Sequence, residues 1–139
     1  RAKSIKFLDS NKIEKLKKIE IISDFISDRE NEIKRYNKKN EVNKSILING
    51  RNMTNLGLFR RYTESYLKNH EMLNKKMTIM CRQLAPTSQG IPIEVYAFSK
   101  EKEWVKYEQI MSDIFDHLLA SINFFDLEIF EFSQNFEKK

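Results

Sequence analysis

The chain has 139 residues, of which 40% are hydrophobic and 32% are charged. This length and composition are typical of one soluble domain that buries its own core. Three glycines and two prolines are too few for long disordered linkers. The lone cysteine, Cys81, excludes an internal disulfide and suits a reducing compartment. No apolar run approaches the roughly 20 residues that a membrane-spanning helix needs, and the sequence has no signal peptide.

Charge is distributed unevenly along the chain, whose net charge is +5. Residues 1–76 contain 19 Lys and Arg against 10 Asp and Glu, whereas residues 77–139 contain 6 against 10. A basic half is typical of a protein that binds nucleic acid or a membrane surface. It equally fits a head-to-tail ring in which the basic half of one copy faces the acidic half of the next. The remaining interpretation is that these charges form solvated helix faces.

Residues 1–44 predict a short strand followed by two helices. Residues 5–8 are apolar and strand-like, and Asn11 with Glu14 three positions later is the pattern of a helix start. Ser27 with Glu30 repeats the pattern and predicts a second start. We therefore expect a helical hairpin within residues 9–44, whose narrow apolar stripe packs on a larger unit.

From residue 45 the predicted order is strand, helix, strand, strand, helix, strand. The strands are residues 45–49, 77–84, 91–98 and 127–132. The first helix begins at Thr54 or Asn55 and has Gly57 in its first turn, and the second is capped by Ser99 and deeply buried. This order predicts an α+β, ferredoxin-like (split βαβ) antiparallel sheet with two helices. Residues 5–8 compete with residues 45–49 for the position of the first strand.

No segment of the sequence has a catalytic or cofactor-binding motif. Cys81 alternates within a strand and is interpreted as a small core residue. Asp113, Asp116 and His117 fall on neighbouring helical turns, a spacing that can hold a divalent metal. A polar helix face explains these three residues as well, so we predict no metal, no cofactor and no enzymatic activity.

A single-stranded RNA-binding module is the alternative, because such modules often have this fold. Tyr96 and Phe98 share one strand face, as RNA-stacking aromatics do, but Glu94 lies on the same face. The basic residues fall on the N-terminal helices instead, and no aromatic-and-glycine RNA-binding signature is present. Salt-dependent binding to single strands would distinguish this alternative.

Three segments carry a resemblance to a known family. They are residues 51–62 (RNMTNLGLFRRY), residues 82–98 (RQLAPTSQGIPIEVYAF) and residues 104–118 (WVKYEQIMSDIFDHL). With residues 4–8 they resemble the C-terminal cytoplasmic domain of small-conductance mechanosensitive ion channels, in the miniconductance-type bacterial branch. The match covers most of residues 3–132. The resemblance implies a structural or subunit-interface role for Arg51, Thr54, Asn55, Gly57, Phe59, Arg60, Arg82, Gln83, Pro86, Gly90, Pro92, Glu94, Trp104, Asp113, Asp116 and His117.

The resemblance implies the cage-forming part of a channel that releases ions and osmolytes on hypo-osmotic shock, with the pore outside this chain. It implies a homo-oligomeric ring, a heptamer in the full channel, at the cytoplasmic face of the bacterial inner membrane, and no nucleic-acid partner. It divides the chain into the end of a linker or strand (1–8), a helical insertion (9–44), the ferredoxin-like domain (45–133) and a tail (134–139). Because residue 1 is Arg and not an initiator Met, we expect a longer parent with membrane helices upstream.

Overall fold

The computed structural model describes residues 1–132, and the tail predicted at 134–139 lies outside the described residues. Within residues 1–132 the chain forms four α-helices, two short 3₁₀ helices and one two-stranded antiparallel sheet. The elements in chain order are a 3₁₀ helix (Ala2–Ser4), α1 (Ser10–Leu16), α2 (Glu20–Lys39), α3 (Asn55–Lys68), β1 (Met80–Gln83), β2 (Ile93–Tyr96), α4 (Trp104–Ser121) and a 3₁₀ helix (Ile122–Phe125). The predicted mixture of helices with an antiparallel strand pair is confirmed.

The two N-terminal helices form, but both begin elsewhere than predicted. The cap of α1 is Asp9, whose carboxylate accepts the Lys12 amide at 2.8 Å, and not Asn11. A second start at Ser27 is wrong, because α2 begins at Glu20 and continues through residues 27–30. Ile22 and Ile26 are fully buried one turn apart. Their continuous apolar stripe stabilises the helix across the polar positions that resembled a new start.

The strand predicted at residues 45–49 is wrong. These residues form turns, and the side chains of Ile46 and Ile48 are 60% and 64% exposed. The Lys44 ammonium instead donates to the Leu47 carbonyl at 2.7 Å and to the Asn52 side chain at 2.7 Å. A β-branched apolar run becomes a strand only where a partner strand pairs with it, and none pairs with this run within residues 1–132.

Residues 5–8 run beside the entry to α3 and do not pair with β1 or β2. Phe7 and Thr54 form a single antiparallel bridge. The Leu8 amide donates to the Met53 carbonyl at 3.0 Å, and the Asn55 amide donates to the Lys6 carbonyl at 3.1 Å. The predicted strand at residues 127–132 likewise forms no ladder within the described part of the chain.

The predicted hairpin is confirmed, with shorter strands than expected. β1 and β2 pair with Cys81 opposite Val95 and Arg82 opposite Glu94. The Arg82 guanidinium lies 3.3 Å from the Glu94 carboxylate, and such opposite-charge pairs across two strands stabilise a hairpin. In the connecting loop Gly90 has a φ of +121°, a conformation that L side chains rarely adopt.

The start of α4 lies five residues beyond the predicted cap. The Ser99 hydroxyl accepts the Glu101 amide at 2.9 Å in a preceding turn, and the helix itself begins at Trp104. In that turn the Glu101 carboxylate accepts the amides of Glu103 at 2.8 Å and Lys102 at 2.9 Å. These backbone hydrogen bonds, that from Glu103 foremost, lower the pKa of Glu101. Residues 99–103 thus form a separate capped turn that delays the helix.

Two apolar clusters hold the elements together. The larger joins the N-terminal helices to the start of α3 and to the C-terminal 3₁₀ helix, where Phe59 and Phe125 meet edge-on at 5.4 Å. The smaller joins the end of α3 to α4 through Leu67, Ile110 and Leu118. Burial of each such side chain stabilises the fold by about 1.5–3 kcal/mol.

A fully buried asparagine connects the larger cluster to both ends of the chain. Asn55 is 0% exposed, and its amide nitrogen donates to the Ser4 carbonyl at 2.8 Å and the Phe125 carbonyl at 3.0 Å. Its amide oxygen accepts the Lys6 and Leu56 amides, both at 2.9 Å. Every hydrogen-bonding position of this side chain is therefore used.

An exposed ion pair lies beside this amide. Asp126 has a φ of +54°, and its carboxylate lies 3.0 Å from the Lys12 ammonium and 3.3 Å from the Lys6 ammonium. Hydrogen bonds from Lys12 and Lys6 lower the pKa of Asp126. Since the folded pKa is depressed, the stabilisation is present above the ordinary pKa of an aspartate and is lost as the pH falls through the folded value.

We expect Asn55→Ala to lower the free energy of unfolding by about 2–4 kcal/mol, because it leaves buried backbone groups without partners. Urea unfolding followed by circular dichroism measures the change. Asn123→Ala is the matched control, since Asn123 is exposed in the adjacent 3₁₀ helix, and it should stay within about 0.5 kcal/mol of the parent. Equal effects of the two substitutions would contradict a central role for Asn55.

Candidate functional site

The first family-like segment forms the entry to α3. The Thr54 hydroxyl caps the helix by accepting the Gly57 amide at 3.0 Å. Arg51 lies 3.0 Å from the Glu32 carboxylate and 5.4 Å from the centre of the Tyr36 ring, so it ties this entry to α2. The hydrogen bond from Arg51 is the main cause that lowers the pKa of Glu32.

A steric contact explains why position 57, inside the first turn of α3, is a glycine. A glycine inside a helix costs about 1 kcal/mol relative to alanine. A Cβ at position 57 would lie 3.1 Å from the Thr54 hydroxyl oxygen and 3.8 Å from a terminal nitrogen of Arg60. The glycine therefore keeps the space beside the cap and the Arg60 guanidinium open.

The second family-like segment is the β1–β2 hairpin and its loop. Arg82 and Glu94 form their ion pair on its surface, and Gln83 ends β1. Pro86 and Pro92 lie outside the paired strands, where a residue without an amide hydrogen is tolerated. Phe59, from the first segment, is buried against Phe125 and lines the same groove as Gly90 and Pro92 of this loop.

The third segment does not form a metal site. Asp113 and Asp116 are exposed on α4, whereas His117 lies in an aromatic stack with α3. Its Nε2 is 2.6 Å from the Tyr62 hydroxyl, and its ring is parallel to that of Tyr66 at 3.9 Å between centroids. Within residues 1–132 no group of three His, Cys, Asp or Glu side chains is placed to hold a metal ion.

Tyr66 lies outside the three family-like segments, and Tyr62 ends the first of them without a role predicted for it. Burial, followed by electrostatic interaction with Tyr62 and with Asp113, raises the pKa of Tyr66. His70 lies edge-on to the same ring at 5.9 Å. The available signal in the sequence was the spacing of four residues between the two tyrosines. This spacing places both rings on one face of α3, where they meet a histidine on the inner face of α4.

The outer face of α4, defined by Trp104, Phe115 and Leu119, is exposed. These side chains are 73%, 61% and 49% exposed, while Ile114 and Leu118 on the opposite face are buried. The prediction that α4 is deeply buried on a sheet is therefore wrong. The reason is that the two short strands, each of four residues, do not cover a helix of eighteen.

A groove of about 440 Å³ adjoins the outer α4 face. Leu119 and Ile122 line one side, and Ile93, Leu127 and Phe130 line the other. Large exposed apolar patches on soluble proteins mark surfaces that bind a partner. The groove and the outer α4 face together form a candidate surface for binding a partner on the part of the chain that the structure describes.

Comparison with known proteins leaves the family open. No protein-family model matches the sequence, and no solved structure matches the fold. Among residues 1–132, no helix combines the length and the apolar composition that crossing a membrane requires. The resemblance to mechanosensitive channels therefore depends on the three sequence segments.

Cys81 is buried as predicted, with 4% of its side chain exposed. Burial, followed by the charge of Glu64, raises the pKa of the Cys81 thiol to about 11. The Cys81 amide also donates to the Glu64 carboxylate at 3.3 Å. Because the thiolate is the reactive form, this environment suits a packing role and not a nucleophile.

We expect Cys81 to react with a disulfide reagent at pH 8 at least about 100-fold more slowly in the folded protein than in denaturant, because roughly 0.1% of it is thiolate there. The rate should rise about tenfold per pH unit up to the raised pKa. Ser88→Cys, in the exposed loop, supplies an internal control thiol that reacts at the ordinary rate. A single fast phase from both thiols would contradict the burial of Cys81.

Proposed function

We propose that this chain is the cytoplasmic, cage-forming domain of a small-conductance mechanosensitive ion channel of the miniconductance type. In this proposal the parent releases ions and osmolytes on hypo-osmotic shock, and its pore lies outside these residues. The chain carries no chemistry of its own and serves by assembling. Besides the sequence resemblance, the single structural observation that supports the proposal is the exposed outer face of α4.

The character of that face supports assembly between copies of the chain. Trp104 and Phe115 supply large apolar area, and aromatic residues are enriched where proteins associate. Glu108 lies at helical spacing among them and Asp116 beside them, both exposed. Acidic groups around an apolar face complement the basic N-terminal half of a neighbour, as a head-to-tail ring requires. The proposed ring is a heptamer at the cytoplasmic face of the bacterial inner membrane.

The ferredoxin-like fold belongs to the same proposal. The order α3, β1, β2, α4 is the central part of a split βαβ unit. Residues 4–8 lie beside residues 125–128, since the Glu128 amide donates to the Ser4 hydroxyl at 3.0 Å. Ile5, Ile93 and Leu127 also line one groove. These contacts support the proposal that residues 5–8 and 127–132 correspond to the first and last strands of such a unit, although neither segment pairs with β1 or β2 within residues 1–132.

The proposed domain division follows the same pattern. Residues 1–8 would end an upstream linker or strand, residues 9–44 would be a helical insertion, and residues 45–133 would be the ferredoxin-like unit. α2 supports the insertion as a packed element, because Ile22 and Ile26 belong to the same apolar cluster as Phe59 of α3. The insertion therefore contributes to the core of the unit that follows it.

The first test is electrophysiological. We expect patches from cells that lack their own mechanosensitive channels, and express the full parent, to show suction-dependent openings. Phe115→Glu in the parent should reduce or alter those openings, because it places a charge in the proposed subunit contact. A parent gene without apolar helices, or openings that are unchanged when residues 1–139 are deleted, would contradict the proposal.

The second test measures assembly directly. We expect sedimentation of the 139-residue chain to show self-association that Phe115→Ser weakens at least about tenfold, as loss of a central aromatic contact does. Ile48→Ser is the matched control, because Ile48 is equally exposed, at 64% against 61% for Phe115, but lies in the turn at residues 45–49. Equal weakening by both substitutions would show non-specific association.

An RNA-binding module is the second candidate. Tyr96 is 40% exposed and meets Phe98 edge-on at 5.2 Å, so one aromatic is available for base stacking. Against it, the Glu94 carboxylate on the same strand pairs with Arg82. Titration with single-stranded RNA separates the candidates, because tight binding lost on Tyr96→Ala would favour the RNA module over the channel domain.

A further inference from the structure

A second groove, of about 260 Å³, lies between α2 and the entry to α3. Arg29 reaches it from α2, Arg51 from the preceding loop and Arg60 from α3. Thr54 and Gly57, at the start of α3, line its floor. We call this site the arginine groove; it lies apart from the outer α4 face and involves other elements of the fold.

Two of the three groove arginines, Arg29 and Arg51, lie over aromatic rings, and Arg61, outside the groove lining, shares one of these rings. The Arg29 guanidinium lies 5.3 Å and the Arg61 guanidinium 4.5 Å from the centre of the Phe25 ring. Arg51 lies over Tyr36 at 5.4 Å. Arginine stacked on an aromatic ring keeps its hydrogen-bond donors free at the edge of its plane. These contacts orient the groups without neutralising them.

The positive charge of the groove is only partly compensated. Among residues 1–132 the ion pairs include Arg51 with Glu32 but none with Arg29, Arg60 or Arg61. The Glu64 carboxylate, one turn beyond Arg60, accepts the Cys81 amide. The Nε atoms of Arg60 and Arg61 are buried without a hydrogen-bond partner in the described residues. An arginine side chain has donors and no acceptor, so these two atoms lack an acceptor among the described residues.

Gly57 keeps the floor of the groove open. Its φ is not positive, so its backbone conformation is one that alanine would adopt at lower cost. A Cβ there would project toward the Thr54 hydroxyl at 3.1 Å and the Arg60 guanidinium at 3.8 Å. The Thr54 oxygen accepts the Gly57 amide at 3.0 Å, which leaves its own hydrogen free to donate. The positive end of the fourteen-residue α3 points to the same place.

We propose that the arginine groove binds a phosphate group. Several guanidinium forks, a hydroxyl donor and a helix N-terminus are the combination that phosphate oxygens prefer. The volume of about 260 Å³ admits a phosphate with a small organic substituent but not a folded polymer. The phosphate has two sources with the same chemistry, a free phosphate or phosphomonoester, or the headgroup of an anionic lipid. The proposal does not depend on the channel assignment.

The experiment titrates inorganic phosphate into the ¹⁵N-labelled 139-residue chain, with sodium chloride at equal ionic strength as the screening control. We expect saturable shifts of the Gly57 and Arg60 amide signals, with a dissociation constant on the order of 1 mM or lower. Chloride should not reproduce them. Shifts that chloride reproduces, or no saturation, would overturn the proposal.

Three variants test the geometry. Arg60→Gln should weaken phosphate binding at least about tenfold, and Gly57→Ala should weaken it by obstructing the floor. Arg35→Gln is the matched control, because Arg35 is exposed on α2 and outside the groove, and it should leave the affinity within about twofold. If Arg60→Gln does not fold by circular dichroism, Arg29→Gln replaces it. Equal losses for Arg35→Gln and the groove variants would overturn the proposal.

Vesicles distinguish the two sources. Binding to phosphatidylglycerol vesicles but not phosphatidylcholine vesicles, competed by inorganic phosphate and lost in Arg60→Gln, would identify a lipid headgroup. Phosphate binding without vesicle binding would identify a free phosphate or phosphomonoester. A third outcome is that the protein binds vesicles but does not bind inorganic phosphate, and that phosphate does not compete with the vesicles. This outcome would overturn the proposal, because general charge attraction would then explain the vesicle binding.

Discussion

The Asn55 side chain is the contact on which the remaining arrangement depends. Its four hydrogen bonds connect the chain near Ser4, the first turn of α3 and the turn at Phe125. A buried amide is costly unless every donor and acceptor is satisfied, so the three segments must all be in place together. Once they are, Phe59 meets Phe125 and the outer α4 face is presented beside the larger groove. A polar group thus determines how apolar elements are aligned.

The arginine groove and the outer α4 face come from different halves of the chain. The basic half contributes α2 and the arginine groove, where Phe25 and Tyr36 hold guanidinium groups in place. The acidic half contributes α4, whose inner face packs on α3 through His117 and whose outer face leaves Phe115 uncovered. α3 belongs to the basic half and packs on both α2 and α4, the latter through Tyr66 and His117. The basic and the acidic halves of the sequence therefore form different elements of the fold and different surfaces.

The sequence predicted those elements whose signals are local. Thr54 and an apolar face predicted α3, and the alternation of apolar residues and the loop predicted the hairpin. The predictions from sequence were wrong where tertiary packing determines the structure. Ser27 lies within α2 instead of starting a helix, and residues 46–48 lie in exposed turns instead of a strand. The position of His117 against Tyr66 joins residues 51 positions apart, and the grouping of Arg29 with Arg60 requires the folded chain. Local spacing places Tyr62 and Tyr66 on one face of α3, but it does not show which distant side chains that face contacts.

The attachment of residues 4–8 has a mechanical consequence. This segment is held to residues 53–55 by four hydrogen bonds, two of them through the buried Asn55 side chain. Tension that enters along residues 4–8 is therefore shared between backbone hydrogen bonds and the buried Asn55 side chain. Release of the segment requires Asn55 to lose two of its four hydrogen-bond partners, the Lys6 amide and the Ser4 carbonyl. Load applied at this end would reach α3 and the turn at Phe125 before the attachment breaks.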